Sequence, residues 1–389
     1  HWLARIGLKG REAHERNREA ANLVFLIDVS GSMQPSNKLP LIQRSMRYLV
    51  NQLRPDDRVA MVTYAGSSRV ALQSTPVGET AEIVAAIDSL TSGGSTHGSA
   101  GIRDADRIAR QHFVSGGLNR VILATDGDFN VGITDRGDLM HLIQNEAKSN
   151  VFLTVLGFGM GNYKDATLET IADRGNGTYH YVDNFQEAQK IFGTDLTRNL
   201  MTIAKDVKIQ VEFNPARIQA YRLIGYENRK LAAKDFNDDT KDAGEIGAGH
   251  TVTALYELIP VGAEVTSNVD QLRYQSEPAP KAVPADPQHA RELMTVKLRY
   301  KEPEADRSRR IEMHVPDAIR TLDETPADFR FAASVAIYGM ILRNAPEAGS
   351  FTLDQVLRLA EPGLSDDPHG YRAEYVDLVR KTKELMPNR

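Results

Sequence analysis

The sequence predicts an α/β fold: a doubly wound, mostly parallel sheet with helices on both faces, followed by a β-rich, sandwich-like domain and a helical C-terminal segment. Three observations predict it. Over residues 21–204, short apolar runs alternate with segments of helical period, the pattern of a parallel sheet covered on both sides. After about Lys205 the period falls to two, in VKIQVEF, RIQAYRLIGYE, TVTALYELI, LMTVKLRY and RIEMHV, with Gly, Asp, Asn and Pro clusters between them. From Ala327 the helical period returns in DFRFAASVAIYGMILRN, TLDQVLRLAEP and YRAEYVDLVRKTKELM. The predicted boundaries are therefore 1–20, 21–204, 205–326 and 327–389.

Taken in order, WLARIGLKG reads as one short strand followed by a charged link. A single strand needs a partner, and the expected one lies in the sheet after Lys205, which would make the doubly wound domain an insertion into a β-sandwich. Within that domain, strands are expected at residues 22–27, 58–64, 70–73, 120–124, 151–157 and 179–182. Leu39, Ile42, Met46, Leu49 and Leu53 recur at three- and four-residue spacing and place one apolar stripe on a helix facing the sheet. Ile83, Ala86, Ile87 and Leu90 do the same. Further helices are expected at 100–113, 138–149, 165–173, with Gly175 and Gly177 as stop signals, and 185–203. Residues 275–288, with Pro278, Pro280, Pro284 and Pro287, cannot hold a helix and read as a surface loop.

The 389 residues carry 47 Lys plus Arg against 52 Asp plus Glu, a formal net charge of -5. A general nucleic-acid binder usually presents a basic face, so this balance argues against one. The absence of cysteine excludes disulfides, thiolate zinc sites and a Cys nucleophile. The longest apolar stretches run to about ten residues, half of what a spanning helix needs. The first twenty residues hold no apolar run of the signal-peptide kind.

The chemistry concentrates in three loops at expected strand ends, where open α/β sheets bind ligands. The strand NLVFLI runs into Asp28-Val29-Ser30-Gly31-Ser32; in an extended turn the alternating Asp28, Ser30 and Ser32 would point one way. Gly93-Gly94-Ser95-Thr96-His97-Gly98 offers a hydroxyl ahead of a helix, and Ala124-Thr125-Asp126-Gly127-Asp128 ends the strand RVILA. Carboxylates with hydroxyls form a hard-oxygen set suited to Mg²⁺ or Ca²⁺ and unsuited to soft metals. Alone, each loop has an ordinary reading: Asp28 as a helix cap, Ser30 and Ser32 as turn residues.

Together, Asp28, Ser30, Ser32, Thr96 and Asp126 reproduce the set of a metal-ion-dependent adhesion site, and residues 21–204 resemble the von Willebrand factor A domain family, whose fold is a Rossmann-like doubly wound sheet. NLVFLIDVSGSM, LRPDDRVAMVTYAG, NRVILATDGDFNVG, FLTVLGFGMGNYKD, TIAKDVKIQVEFNPA and YRLIGYENR further resemble the bacterial YfbK-type proteins, which join such a domain to a family-specific C-terminal domain. The resemblance implies a metal held by Ser30 and Ser32 directly and by Thr96 and Asp126 directly or through water, with a shell that a partner carboxylate can complete. It implies an exported, often lipid-anchored envelope protein, although this chain lacks the anchoring Cys. Mg²⁺ ranks first, since it keeps waters in small octahedral sites; Ca²⁺ and Mn²⁺ follow.

Other candidates are weaker. His97 in a hydroxyl-rich loop reads as a surface donor. Asp128 and Asn130 extend the third loop toward a calcium-loop pattern, but Gly137 stands where that pattern requires Glu. Gly157-Phe158-Gly159-Met160-Gly161 lacks the dinucleotide spacing, with Lys164 at the place of the last glycine. The acidic run Asn237, Asp238, Asp239, Asp242 and Glu245 reads as a solvated loop. No G-x-S-x-G, H-E-x-x-H or P-loop occurs, so nothing points to an enzyme. The expected function is divalent-metal-dependent binding of a protein partner through its Asp or Glu, at the cell envelope or periplasm. Two alternatives stand beside it: an adaptor for a MoxR-type AAA+ ATPase, and a structural envelope protein with a stabilising metal.

Overall fold

The computed structural model describes residues 1–12, 19–94, 99–127, 143, 151–159, 165–196, 201–225, 231–239, 243–263, 289–303 and 305–386. Thr96, His97, Asp128, Asn130, the 275–288 loop and nearly all of the helix expected at 138–149 lie outside these residues.

A six-stranded sheet, in the order β4-β3-β2-β5-β6-β7, forms the first unit: β2 (Ala21–Asp28), β3 (Arg58–Tyr64), β4 (Ser68–Pro76), β5 (Leu118–Thr125), β6 (Phe152–Phe158) and β7 (Tyr179–Val182). All neighbours are parallel except β3 and β4, which form a hairpin. Every residue of β2 is buried, as expected of a central parallel strand covered on both faces. Its side chains alternate between two cores. Leu23, Phe25 and Ile27 meet α1 (Leu39–Val50) and α2 (Thr80–Asp88); Val24 and Leu26 meet α3 (Ser99–Gln111) and α4 (Asp165–Arg174). Emptying such a site, as in Phe25→Ala, costs about 3–5 kcal/mol.

The helix expected over 185–203 is interrupted: α5 (Phe185–Gln189) leads into a single π turn at Lys190–Thr194, where Gly193 lies close against the Tyr48 hydroxyl, and Leu196 is helical again at the edge of the described residues. Thr202 and Ile203, the second with a branched stem suited to strands, already belong to β8 (Thr202–Phe213).

The second unit holds two antiparallel sheets. One has the order β1-β11-β9, from β1 (Trp2–Lys9), β9 (Ile218–Ile224) and β11 (Thr251–Pro260). The other has the order β10-β8-β12-β13, adding β10 (Gly244–Gly247), β12 (Glu292–Lys301) and β13 (Arg309–Pro316). Ala4, Ile6, Phe213, Ile218, Leu258, Met294 and Val296 pack between them. The N-terminal strand pairs with β11 along its whole length, Trp2 opposite Leu258 and Lys9 opposite Thr251. Helices α6 (Ala327–Leu342), α7 (Leu353–Ala360) and α8 (Tyr371–Leu385) share a core that takes in Ile224, so they pack on the sandwich and do not stand apart. Arg222 reaches Glu347 at 3.6 Å and Arg5 stacks over Phe329, two further ties between sheet and helices.

Candidate metal centre

The chain leaves β2 for β3 on one side of the sheet and β5 for β6 on the other. The carboxyl ends of β2 and β5 therefore flank the point where the winding reverses, the crevice in which such sheets bind ligands. Asp28 is the last residue of β2, and Asp126 follows β5 directly. Both are buried, Asp28 completely.

Hydrogen bonds fix the Asp28 carboxylate: Ser30 N–H donates to Oδ1 at 2.9 Å, the Tyr64 and Thr125 hydroxyls each donate to Oδ2 at 3.3 Å, and the Ser30 side chain adds a further one. These donors are neutral. Burial pushes the Asp28 carboxyl above its usual range, the Ser30 hydrogen bonds oppose the shift, and the Asp126 charge adds to it. A buried carboxylate held by neutral groups, with a second carboxylate nearby, is an anionic pocket that a divalent cation would neutralise.

The loop after β2 is not extended through Ser32 as the alternation suggests. Ser30 is extended, at φ -60° and ψ 166°, and Gly31–Met33 then tightens into a 3₁₀ turn anchored by the buried Met33. The turn still brings the Ser30 and Ser32 hydroxyls within 3.1 Å of each other. The second loop is tied to the first through the backbone: Gly93 N–H donates to Val29 C=O at 2.7 Å, and Gly31 N–H to Gly94 C=O at 3.2 Å. Thr96, two residues beyond Gly94, is outside the described residues. Of the five expected ligands the fold thus gathers Asp28, Ser30, Ser32 and Asp126 at one sheet end. Among the described residues no three His, Cys, Asp or Glu cluster as metal ligands; the four gathered here offer two carboxylates and two hydroxyls. Hard oxygens of this kind fit Mg²⁺, Ca²⁺ or Mn²⁺.

Three residues of the centre escape a reading by spacing. Tyr64 ends β3 directly opposite Asp28 in the parallel register, a tertiary relation. Thr125 precedes Asp126 and turns inward. Lys38 donates to Asp126 Oδ2 at 2.9 Å and to the Ser32 carbonyl at 3.0 Å. Its one sequence signal is a cation at the start of a helix, where the macrodipole disfavours it.

In the acidic run after β9, Asp242 lies outside the described residues, and Asn237 and Asp239 are engaged by a cation. Arg299 donates to Asn237 Oδ1 and Asp239 Oδ1, each at 2.9 Å. Hydrogen bonds from Ser308, then Arg299, hold the Asp239 carboxyl below its usual range. Lys301 pairs with Asp206 at 2.5 Å.

Comparison with known proteins agrees with this architecture. The von Willebrand factor type A domain family matches residues 22–194, and the family described as "Uncharacterized protein YfbK, C-terminal" matches residues 198–385. The uncharacterised protein YfbK of Escherichia coli strain K12 is 43% identical over 377 residues, which cover 97% of this chain and 64% of that protein. The chain therefore spans just under two thirds of that relative's length. Human inter-alpha-trypsin inhibitor heavy chain H4 is 30% identical over 162 residues, 39% of this chain and 17% of its own. A solved von Willebrand factor type A protein from Catenulispora acidiphila shares the fold, with a TM-score of 0.50 and 17% identity over 97% of this chain and 89% of that one. Von Willebrand A domains commonly mediate metal-dependent protein interaction. With both family matches in place, residues 22–194 are a von Willebrand factor type A domain, and residues 198–385 are the C-terminal domain found in YfbK.

Proposed function

We propose that this chain is a divalent-metal-dependent protein-binding module without catalytic activity, which captures an Asp or Glu of a protein partner at the end of its parallel sheet. The observation that carries the reading is the meeting of buried Asp28 and Asp126 with the paired Ser30 and Ser32 hydroxyls at the switch point of the winding. Asp28 and Asp126 supply the negative charge, Ser30, Ser32 and Thr96 supply neutral oxygens, and Mg²⁺ is the ion we assign. A bound divalent ion would supply a Lewis-acidic point with room for a carboxylate, because two carboxylates leave little negative charge to repel one.

The surroundings suit a protein ligand. A groove of about 310 Å³ beside the centre is lined by Val29, Thr63, Arg69, Leu90, Gly93 and Gly94, giving space and a cation for neighbouring groups of the partner. The rigid central strands fix these contacts in advance, which lowers the ordering cost of binding. We place the module at the cell envelope from its likeness to YfbK-type proteins; no described helix is long and apolar enough to cross a membrane.

The test is affinity capture from a bacterial envelope extract on immobilised protein, in Mg²⁺ and in EDTA, with Asp126→Ala as control. A partner held by the unaltered chain in Mg²⁺ and released by EDTA and by the substitution supports the reading. Capture that is equal under all three conditions refutes it.

A further inference from the structure

Lys38 carries an inference that rests on the metal-binding reading and concerns how the same site is controlled. It occupies the N-cap of α1, at the positive end of the helix dipole, where a cation is unfavourable. It is nonetheless held by three segments. Its stem lies along Gly159, where φ is +90° and an added Cβ would come within 2.5 Å of Lys38 Cε. Its ammonium donates to Asp126 Oδ2 at 2.9 Å and to the Ser32 carbonyl at 3.0 Å. The Lys38 side chain is 16% exposed and that of Asp126 only 4%, so the pair is largely withdrawn from solvent and weakly screened by salt. A glycine that leaves room for the stem and two acceptors on separate loops together make a seat for the cation.

We propose that Lys38 is the resident counter-cation of the metal centre: it neutralises Asp126 in the metal-free protein and opposes a divalent ion for the same carboxylate. The metal is then bound more weakly than the oxygen set alone would hold it. The same charge has a second effect. Once a divalent ion is present, Lys38 and the ion together outweigh Asp28 and Asp126 by one positive charge, which favours an anionic over a neutral partner.

Calorimetric titration with Mg²⁺ alone, on the full chain and on Lys38→Met, tests this. The Met variant keeps most of the stem and removes the charge. We expect it to bind Mg²⁺ roughly tenfold more tightly, the scale of a like-charge repulsion in a partly solvated site. It should also melt at a lower temperature in EDTA and gain more on addition of Mg²⁺. Equal or weaker Mg²⁺ affinity in the folded variant overturns the proposal; if Lys38→Met does not fold, the same titration of Lys38→Gln decides. If neither the unaltered chain nor the variant binds Mg²⁺, the metal-binding reading itself fails. If both bind it equally, only the role of Lys38 does.

Discussion

A buried charge lies at or just beyond each end of strand β5, and the two ends treat it in opposite ways. At its carboxyl end Asp126 joins Asp28 in an anionic pocket beside an exposed groove, with Lys38 its described cationic partner. At its amino end Arg120 is buried where the sheet meets the second unit, donating to Thr154 Oγ1 at 2.7 Å and to Thr202 Oγ1 at 3.5 Å, with the Glu245 charge nearby. Burial pulls the Arg120 guanidinium down to about 10, and Glu245 resists that shift. Both charges pay desolvation. On the proposed metal-binding reading, an external ion relieves the cost at the first site; the second is closed by β8 and the segment around Glu245. On that reading a charge kept at a groove serves binding, whereas one sealed at a domain junction serves attachment.

The largest test of this contrast is Asp28→Ala or Asp126→Ala. Each removes one of two carboxylates, and Mg²⁺ affinity should fall more than about a hundredfold in calorimetry, close to abolition. Arg120→Ala should act oppositely. It strips the junction of its cation and costs about 2–4 kcal/mol in denaturant unfolding, with Mg²⁺ affinity of the folded protein unchanged. If Arg120→Ala weakens Mg²⁺ binding as Asp28→Ala does, the two ends are coupled and the contrast collapses. Ser32→Ala is smaller: roughly tenfold weaker Mg²⁺ binding, and melting in EDTA unchanged to within about 1 °C.

His180, on β7 near Arg120, gives the finest test. Burial first, then the charges of Arg120, His250 and Lys190, lowers it from 6.5 to about 4. Its neutral form is favoured in the folded state, so its contribution to stability is fully present above about pH 6.5 and is lost as the pH falls toward 4. His180→Gln should flatten the decline in melting temperature over that interval. An unchanged slope would remove His180 from the junction's charge balance.

The first unit was largely legible in the sequence because its signals are local. NLVFLI is a continuous apolar run because β2 is covered on both faces, and the α1 stripe follows one helical face. Asp28, Ser30 and Ser32 could be read because a single loop sets their spacing. Tyr64, Thr125 and Lys38 could not, since register and close approach between distant segments place them. β10 leaves no signal in the sequence because GEIG is four residues with two glycines, too short to show a period. The 185–203 stretch has the period of one helix because the period does not register the π turn at Lys190–Thr194.

The pairing of β1 with β11 makes the von Willebrand A unit a cassette. The chain enters it just after Lys9 and returns at Thr202, and the two points are neighbours: a Cβ on Gly10 would fall 3.0 Å from Ile203 Cδ1, and Gly10 N–H bonds to the His250 carbonyl at 2.8 Å. Both of its tethers are therefore stitched into one sandwich. A fragment starting at residue 20 would keep every expected ligand, yet leave the long edge of β11 bare, an invitation to strand exchange between copies. Conversely, a few residues bridging Gly10 to Ile203 would close the sandwich without the cassette. The order of segments along the gene thus hides a host and its guest, each with a boundary at the same place in space.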